Sequence, residues 1–136
     1  MINYPVKVLL AFGEAVDRNK KLADWLLNNG FPELAALASA INSSKEAFNW
    51  LMKYNYYHFA AFSKALYDDE DAYVWLKKHE YEILAKITEV VKGDVNAKKW
   101  FKNKNLPVFL VLASKIEYIV KEKKSDFDDY HKFTFN

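Results

Sequence analysis

Apolar positions along this chain of 136 residues follow two helical patterns that alternate and return every 25 residues. In the shorter one, tryptophan stands at Trp25, Trp50, Trp75 and Trp100. Three residues earlier come Leu22, Ala47, Ala72 and Ala97, and directly after it Leu26, Leu51, Leu76 and Phe101. An i, i+3, i+4 spacing puts these side chains on one face of a short helix, here termed A. The second pattern opens nine residues after each tryptophan with Leu34, Phe59, Leu84 and Phe109. It continues with Leu37, Phe62, Ile87 and Leu112, then Ala38, Ser63, Thr88 and Ala113, then Ile41, Leu66, Val91 and Ile116. This i, i+3, i+4, i+7 run predicts a second helix, B, whose third row is small enough for neighbouring helices to approach closely.

The punctuation keeps the same interval. Six residues before each tryptophan stand Asn19, Ser44, Asp69 and Asp94, side chains that accept hydrogen bonds from the free N–H groups of a first helical turn. Between A and B lie short polar or aromatic turns, and Pro32 and Pro107 occupy equivalent places at the start of B, where proline suits a first turn. Shifting back once more sets Leu9, Phe12, Gly13 and Val16 on the B positions, so the chain opens with a B helix that has no A helix before it.

The expected elements are nine helices, at 5–17, 20–29, 32–42, 45–54, 57–67, 70–79, 82–92, 95–104 and 107–124. At the next expected N-cap stands Ile119, and no tryptophan follows. The last helix therefore lengthens and caps the array, because a terminal unit lacks a neighbour on one side. The fold class is all-α, a solenoid-like array of short helical hairpins. A single domain covers 1–124, with an unpaired helix 5–17, units 19–43, 44–68 and 69–93, and a last unit 94–124. A tail, 125–136, carries Phe127, Tyr130, Phe133 and Phe135 among charges and either folds back or hangs free. The order resembles an α-solenoid in the broad sense, but the unit is shorter than the roughly 34 residues of tetratricopeptide arrays and lacks their signature residues.

Each unit is too short to be stable alone, so stacking must hold it. The tryptophans are read as the packing seam rather than a ligand box, and alanine at Trp50 or Trp75 should then remove about 3–5 kcal/mol.

Composition narrows the class. With 51% apolar and 17% aromatic residues the chain can bury a core, and three Gly and three Pro are too few for an all-β fold. Twenty basic against eighteen acidic residues leave a net charge of +2, too weak for a dedicated nucleic-acid binder. The absence of cysteine removes thiol chemistry and fits a cytoplasmic setting. The apolar run Val8–Phe12 is too short for a membrane span.

Little chemistry is visible. The three histidines, His58, His79 and His131, form no His-x-x-x-His or Glu-x-x-His pair, so no metal and no cofactor are expected. No phosphate loop or nucleophile elbow occurs. Asp68-Asp69-Glu70-Asp71 reads as a helix cap and its acidic first turn.

Functional residues belong where equivalent positions differ between units. Tyr54, Tyr57, His58 and His79 gather aromatic rings with polar tips around the second A-to-B turn, as interface anchors do, or pack locally. Lys98, Lys99, Lys102 and Lys104 surround Trp100 and Phe101, either as a phosphate-binding patch or as a solvated helix face. The expected function is a non-enzymatic module that binds another protein or a second copy of itself. The alternative is a nucleic-acid-associated factor using these lysines.

Overall fold

The structure is a computed structural model that describes the backbone of Met1 and of residues 3–135 and, residue 2 apart, the side chains as far as Asp126. The described residues form nine α-helices: α1 Val6–Val16, α2 Lys20–Asn28, α3 Pro32–Ile41, α4 Lys45–Lys53, α5 Tyr57–Ala65, α6 Glu70–Lys78, α7 Glu82–Val91, α8 Val95–Asn103 and α9 Pro107–Phe135. The B helices are α1, α3, α5, α7 and α9, and the A helices α2, α4, α6 and α8. None among the described residues is long and apolar enough to cross a membrane.

All four N-caps form. Asn19 Oδ1 accepts from Leu22 N at 3.3 Å, Ser44 Oγ from Ala47 N at 3.1 Å, Asp69 Oδ1 from Ala72 N at 3.0 Å, and Asp94 Oδ1 from both Asn96 N and Ala97 N at 2.8 and 3.2 Å. The same four residues also close the preceding B helix. Their N–H groups donate five residues back, to the carbonyls of Glu14, Ser39, Lys64 and Glu89, at 2.9–3.2 Å. Between helix end and cap sits one left-handed residue: Arg18, Ser43, Asp68 or Gly93, with φ of 67°, 77°, 71° and 94°. This is the Schellman arrangement, with its closing residue doubling as the next N-cap.

The A-to-B turns follow the same scheme. Gly30, Asn55, Glu80 and Asn105 are left-handed, and Phe31, Tyr56, Tyr81 and Leu106 donate to the carbonyls of Leu26, Leu51, Leu76 and Phe101 at 2.8–3.0 Å. At position 118, where the next left-handed residue would fall, stands Tyr118, followed by the buried Ile119. Neither suits a Schellman turn followed by an N-cap, so α9 runs on without a stop through Ser125 to Phe135. The expected end at residue 124 is too early. How the side chains of Phe127 to Phe135 pack lies outside the described residues.

The array does not stay open. Each A helix lies outside, across the groove between two successive B helices, and α1, α3, α5, α7 and α9 pack side by side until α9 meets α1. The terminal helix therefore has neighbours on both flanks, contrary to the expectation of one bare side. Small residues permit the closure: the ideal Cβ position on Gly13 lies 2.9 Å from Leu112 Cδ2 of α9 and 3.2 Å from Lys115 Cδ. The seam is ionic at its edge, with Lys115 Nζ 3.4 Å from Glu14 Oε1 and Arg18 Nη1 2.8 Å from Glu122 Oε1.

Every B position named from periodicity is buried, from Leu34 to Ile116, as are Leu9, Phe12, Gly13 and Val16 of α1. Buried hydroxyls are satisfied within their own helices: Ser63 Oγ donates to Ala60 O and Thr88 Oγ1 to Leu84 O. Polar ties also join successive B helices, where Asn42 Nδ2 donates to Val16 O at 2.9 Å and the Tyr67 hydroxyl to Ile41 O at 2.6 Å. Both satisfy carbonyls that a helix end leaves free.

The tryptophans are only half-buried. The residue after each of them, Leu26, Leu51, Leu76 or Phe101, is the one with no solvent exposure. The helix turns about 100° between neighbours, which aims the second residue into the core and leaves the tryptophan on its margin. Three of the four stack on an aromatic residue of the following turn: Trp25 on Phe31, Trp50 on Tyr56 and Trp75 on Tyr81, with interplanar angles of 17°, 6° and 9°.

Candidate functional site

The sequence-derived aromatic group assembles in part, and mostly with scaffold rings. Tyr54 lies over Trp50 (4.7 Å between centroids), Trp50 stacks on Tyr56 (5.7 Å), and His58 sits between Tyr56 (6.3 Å) and Tyr81 (4.9 Å). Tyr81 stacks on Trp75 (5.7 Å), and Trp75 on His79 (4.2 Å). Seven rings thus form one ladder across two units. Tyr57 does not join it. Its hydroxyl donates to Asn55 Oδ1 at 2.8 Å, and its ring faces the groove between α4 and α6. His79 Nδ1 lies 3.0 Å from Trp75 O. A carbonyl can only accept, so Nδ1 carries the proton and His79 serves as a C-cap, as Asn29 does for Trp25 O.

Burial beside the rings, with the N-terminal ammonium adding to it, holds His58 below its ordinary pKa. A depressed pKa means that the folded state resists protonation. The stability His58 contributes is complete above about pH 6.5, its unfolded value, and is lost as the pH falls through the lower folded value. Between about pH 7.5 and 5, the wild type should lose more stability than His58→Gln. Parallel slopes in thermal melts of the two proteins would refute this.

The lysines divide. Lys104 Nζ and Lys86 Nζ each lie 5.8 Å from the Trp100 ring centroid, where the ring face attracts a cation. Lys92 and Lys124 both reach Asp68, at 3.1 and 2.7 Å, and hold its carboxyl below the usual range, Lys124 foremost. Lys98, Lys99 and Lys102 are exposed on α8, and none makes an ion pair among the described residues. Among those residues no group of three or more His, Cys, Asp or Glu side chains is arranged as metal ligands.

A further concavity lies elsewhere, at the closure. Five B helices in a ring make five outer grooves, and α2, α4, α6 and α8 cover four of them. The fifth, between α9 and α1, carries no A helix among the described residues. It has a volume of about 660 Å³ and is lined by Val6, Leu10 and Glu14 of α1, Val111 and Lys115 of α9, and Trp25 at its rim, among others. Val6, Leu10 and Val111 are 59%, 45% and 44% exposed. Of the counterparts of Leu10, Ala35, Ala60 and Ala85 are 6%, 2% and 3% exposed, and Leu110 of α9 is partly buried.

Sequence reasoning missed this groove because its walls come from opposite ends of the chain. One local signal was present: leucine at position 10, where the next three units have alanine and only the last has leucine again, at Leu110. Comparison with known protein families, with curated proteins and with solved structures finds no match.

Proposed function

We propose that this chain is a non-enzymatic protein-binding module whose docking surface is the groove between α9 and α1. One observation carries the reading: Val6, Leu10 and Val111 stand exposed at a site whose four counterparts on the same molecule are covered by a helix. Contiguous exposed apolar side chains rimmed by charge are a mark of protein interfaces. The ring ladder around His58, with Tyr54 at its exposed end and the exposed Tyr57 beside it, offers a secondary contact. The lack of cysteine supports a cytoplasmic setting.

Leu10→Lys tests the reading, since a half-exposed position tolerates lysine with little loss of stability. Proteins retained from native extract by the wild-type chain should be lost with Leu10→Lys and kept with Lys98→Glu. Retention indifferent to Leu10→Lys would remove the groove from the function. The exposed Lys98, Lys99 and Lys102, which make no ion pair among the described residues, favour nucleic acid as a second reading. It requires duplex or single-stranded binding that weakens steeply with salt and is abolished by Lys98→Glu.

A further inference from the structure

Resting on that reading, we propose that the occupant of the α9/α1 groove is a single amphipathic helix of another protein. It spans about two and a half turns, carries an aromatic residue at its centre, and has a hydrogen-bond donor two positions earlier that reaches Glu14.

The walls dictate a helix. Both are α-helices whose backbone groups are already paired, so the groove offers side chains and no strand edge to an incoming chain. An extended segment would lay its own amides against Val6, Leu10 and Val111, whereas a helix satisfies them internally. The length also fits. Val6 to Glu14 rises about 12 Å at 1.5 Å per residue, close to the span of a nine-residue A helix. The groove continues the outer face on which α2, α4, α6 and α8 already lie.

The register follows from those occupied sites. Trp50 and Trp75 stack on Tyr56 and Tyr81, whose counterpart in α1 is Val6, so the central aromatic belongs over Val6. Two residues before Trp75, the Tyr73 hydroxyl donates to Glu89 Oε2 at 2.7 Å, while Lys86 lies 3.4 Å from the other oxygen of that carboxylate. Glu14 is the counterpart of Glu89, and Lys115 lies 3.4 Å from one of its oxygens. Its side chain is 43% exposed, which leaves it open to a tyrosine or lysine of the occupant.

The residue that follows the aromatic is also set by a site already filled. Leu10 and Val111 are the counterparts of Leu110 and Lys86 in the site that α8 fills, and there the residue after the tryptophan is the fully enclosed Phe101. The residue after the aromatic is therefore a large apolar one, as in the A helices.

The probe is a fluorescein-labelled, hydrocarbon-stapled peptide of Asp69–His79, titrated by anisotropy against the full chain. Saturable binding is expected, weakened at least tenfold by Leu10→Lys and, independently, by Val111→Glu. Tyr73→Phe in the peptide and Glu14→Gln in the protein should each weaken binding about fivefold to tenfold, and no further when combined. No binding, or binding indifferent to Leu10→Lys, overturns the proposal. So does a dimer in sedimentation that Leu10→Lys dissociates, since a second copy would then fill the groove. If extract proteins still depend on Leu10 while the peptide fails, the helical occupant is wrong and the docking surface stands.

Discussion

Phe12→Ala in the first helix lowers the stability of the protein by about 3–5 kcal/mol, as much as Phe62→Ala in the middle of the chain. Both phenylalanines have no solvent exposure. In an open array, α1 would be an end helix with one bare flank, and a cavity there would be relieved by local fraying. In the closed ring it is packed between α3 and α9, with α2 outside, so the lost ring leaves a void that cannot collapse. At this chain length the loss corresponds to a fall in Tm of about 10 °C or more. Should Phe12→Ala fail to fold, Phe12→Leu and Phe62→Leu supply the same comparison at smaller cost. A melt showing the Phe12 variants far milder than their Phe62 counterparts would mean that the ends do not close in solution.

The second large effect inverts the expectation drawn from the tryptophan interval. Leu76→Ala costs about 3–4 kcal/mol, and Trp75→Ala only about 2–3 kcal/mol. Leu76 is fully enclosed, whereas Trp75 shows part of its ring to solvent and packs mainly on Tyr81 and His79. Its removal forfeits two ring contacts and a fraction of the area a core tryptophan would bury. Chemical denaturation of the two single mutants decides between the orders; Trp75→Ala proving clearly the more damaging would restore the tryptophans as the central seam.

What could be read from the chain was whatever is local. The B-helix core from Leu34 to Ile116 and the caps at Asn19, Ser44, Asp69 and Asp94 depend on periods of 3.6 residues and on single side chains, and both are visible in sequence. The left-handed turn residues were half hidden: Gly30, Gly93, Asn55 and Asn105 are of types that favour the conformation, and the other four are not. Arg18, Ser43, Asp68 and Glu80 adopt the same conformation without the usual glycine, held by the two helix ends they join.

Ring closure was hidden for a different reason. It depends on the angle accumulated between successive helices, which no motif records. The aromatic group shows the limit most clearly. Tyr54, His58 and His79 were legible as departures from the rhythm, yet they stack on Trp50, Trp75 and Tyr81, so scaffold and candidate site share rings.

Closure also fixes how many units the molecule holds. An open array of helical hairpins is a polymer in miniature: one unit more or fewer changes its length and leaves each junction intact. Here the last B helix already touches the first, and Gly13 leaves no slack against Leu112. A sixth B helix would have to force that contact apart, and deleting residues 44–68 would leave four helices around a core shaped for five. Duplication or loss of a 25-residue unit, an easy step for an extended array, would therefore break the contact between the first and last helices of this protein.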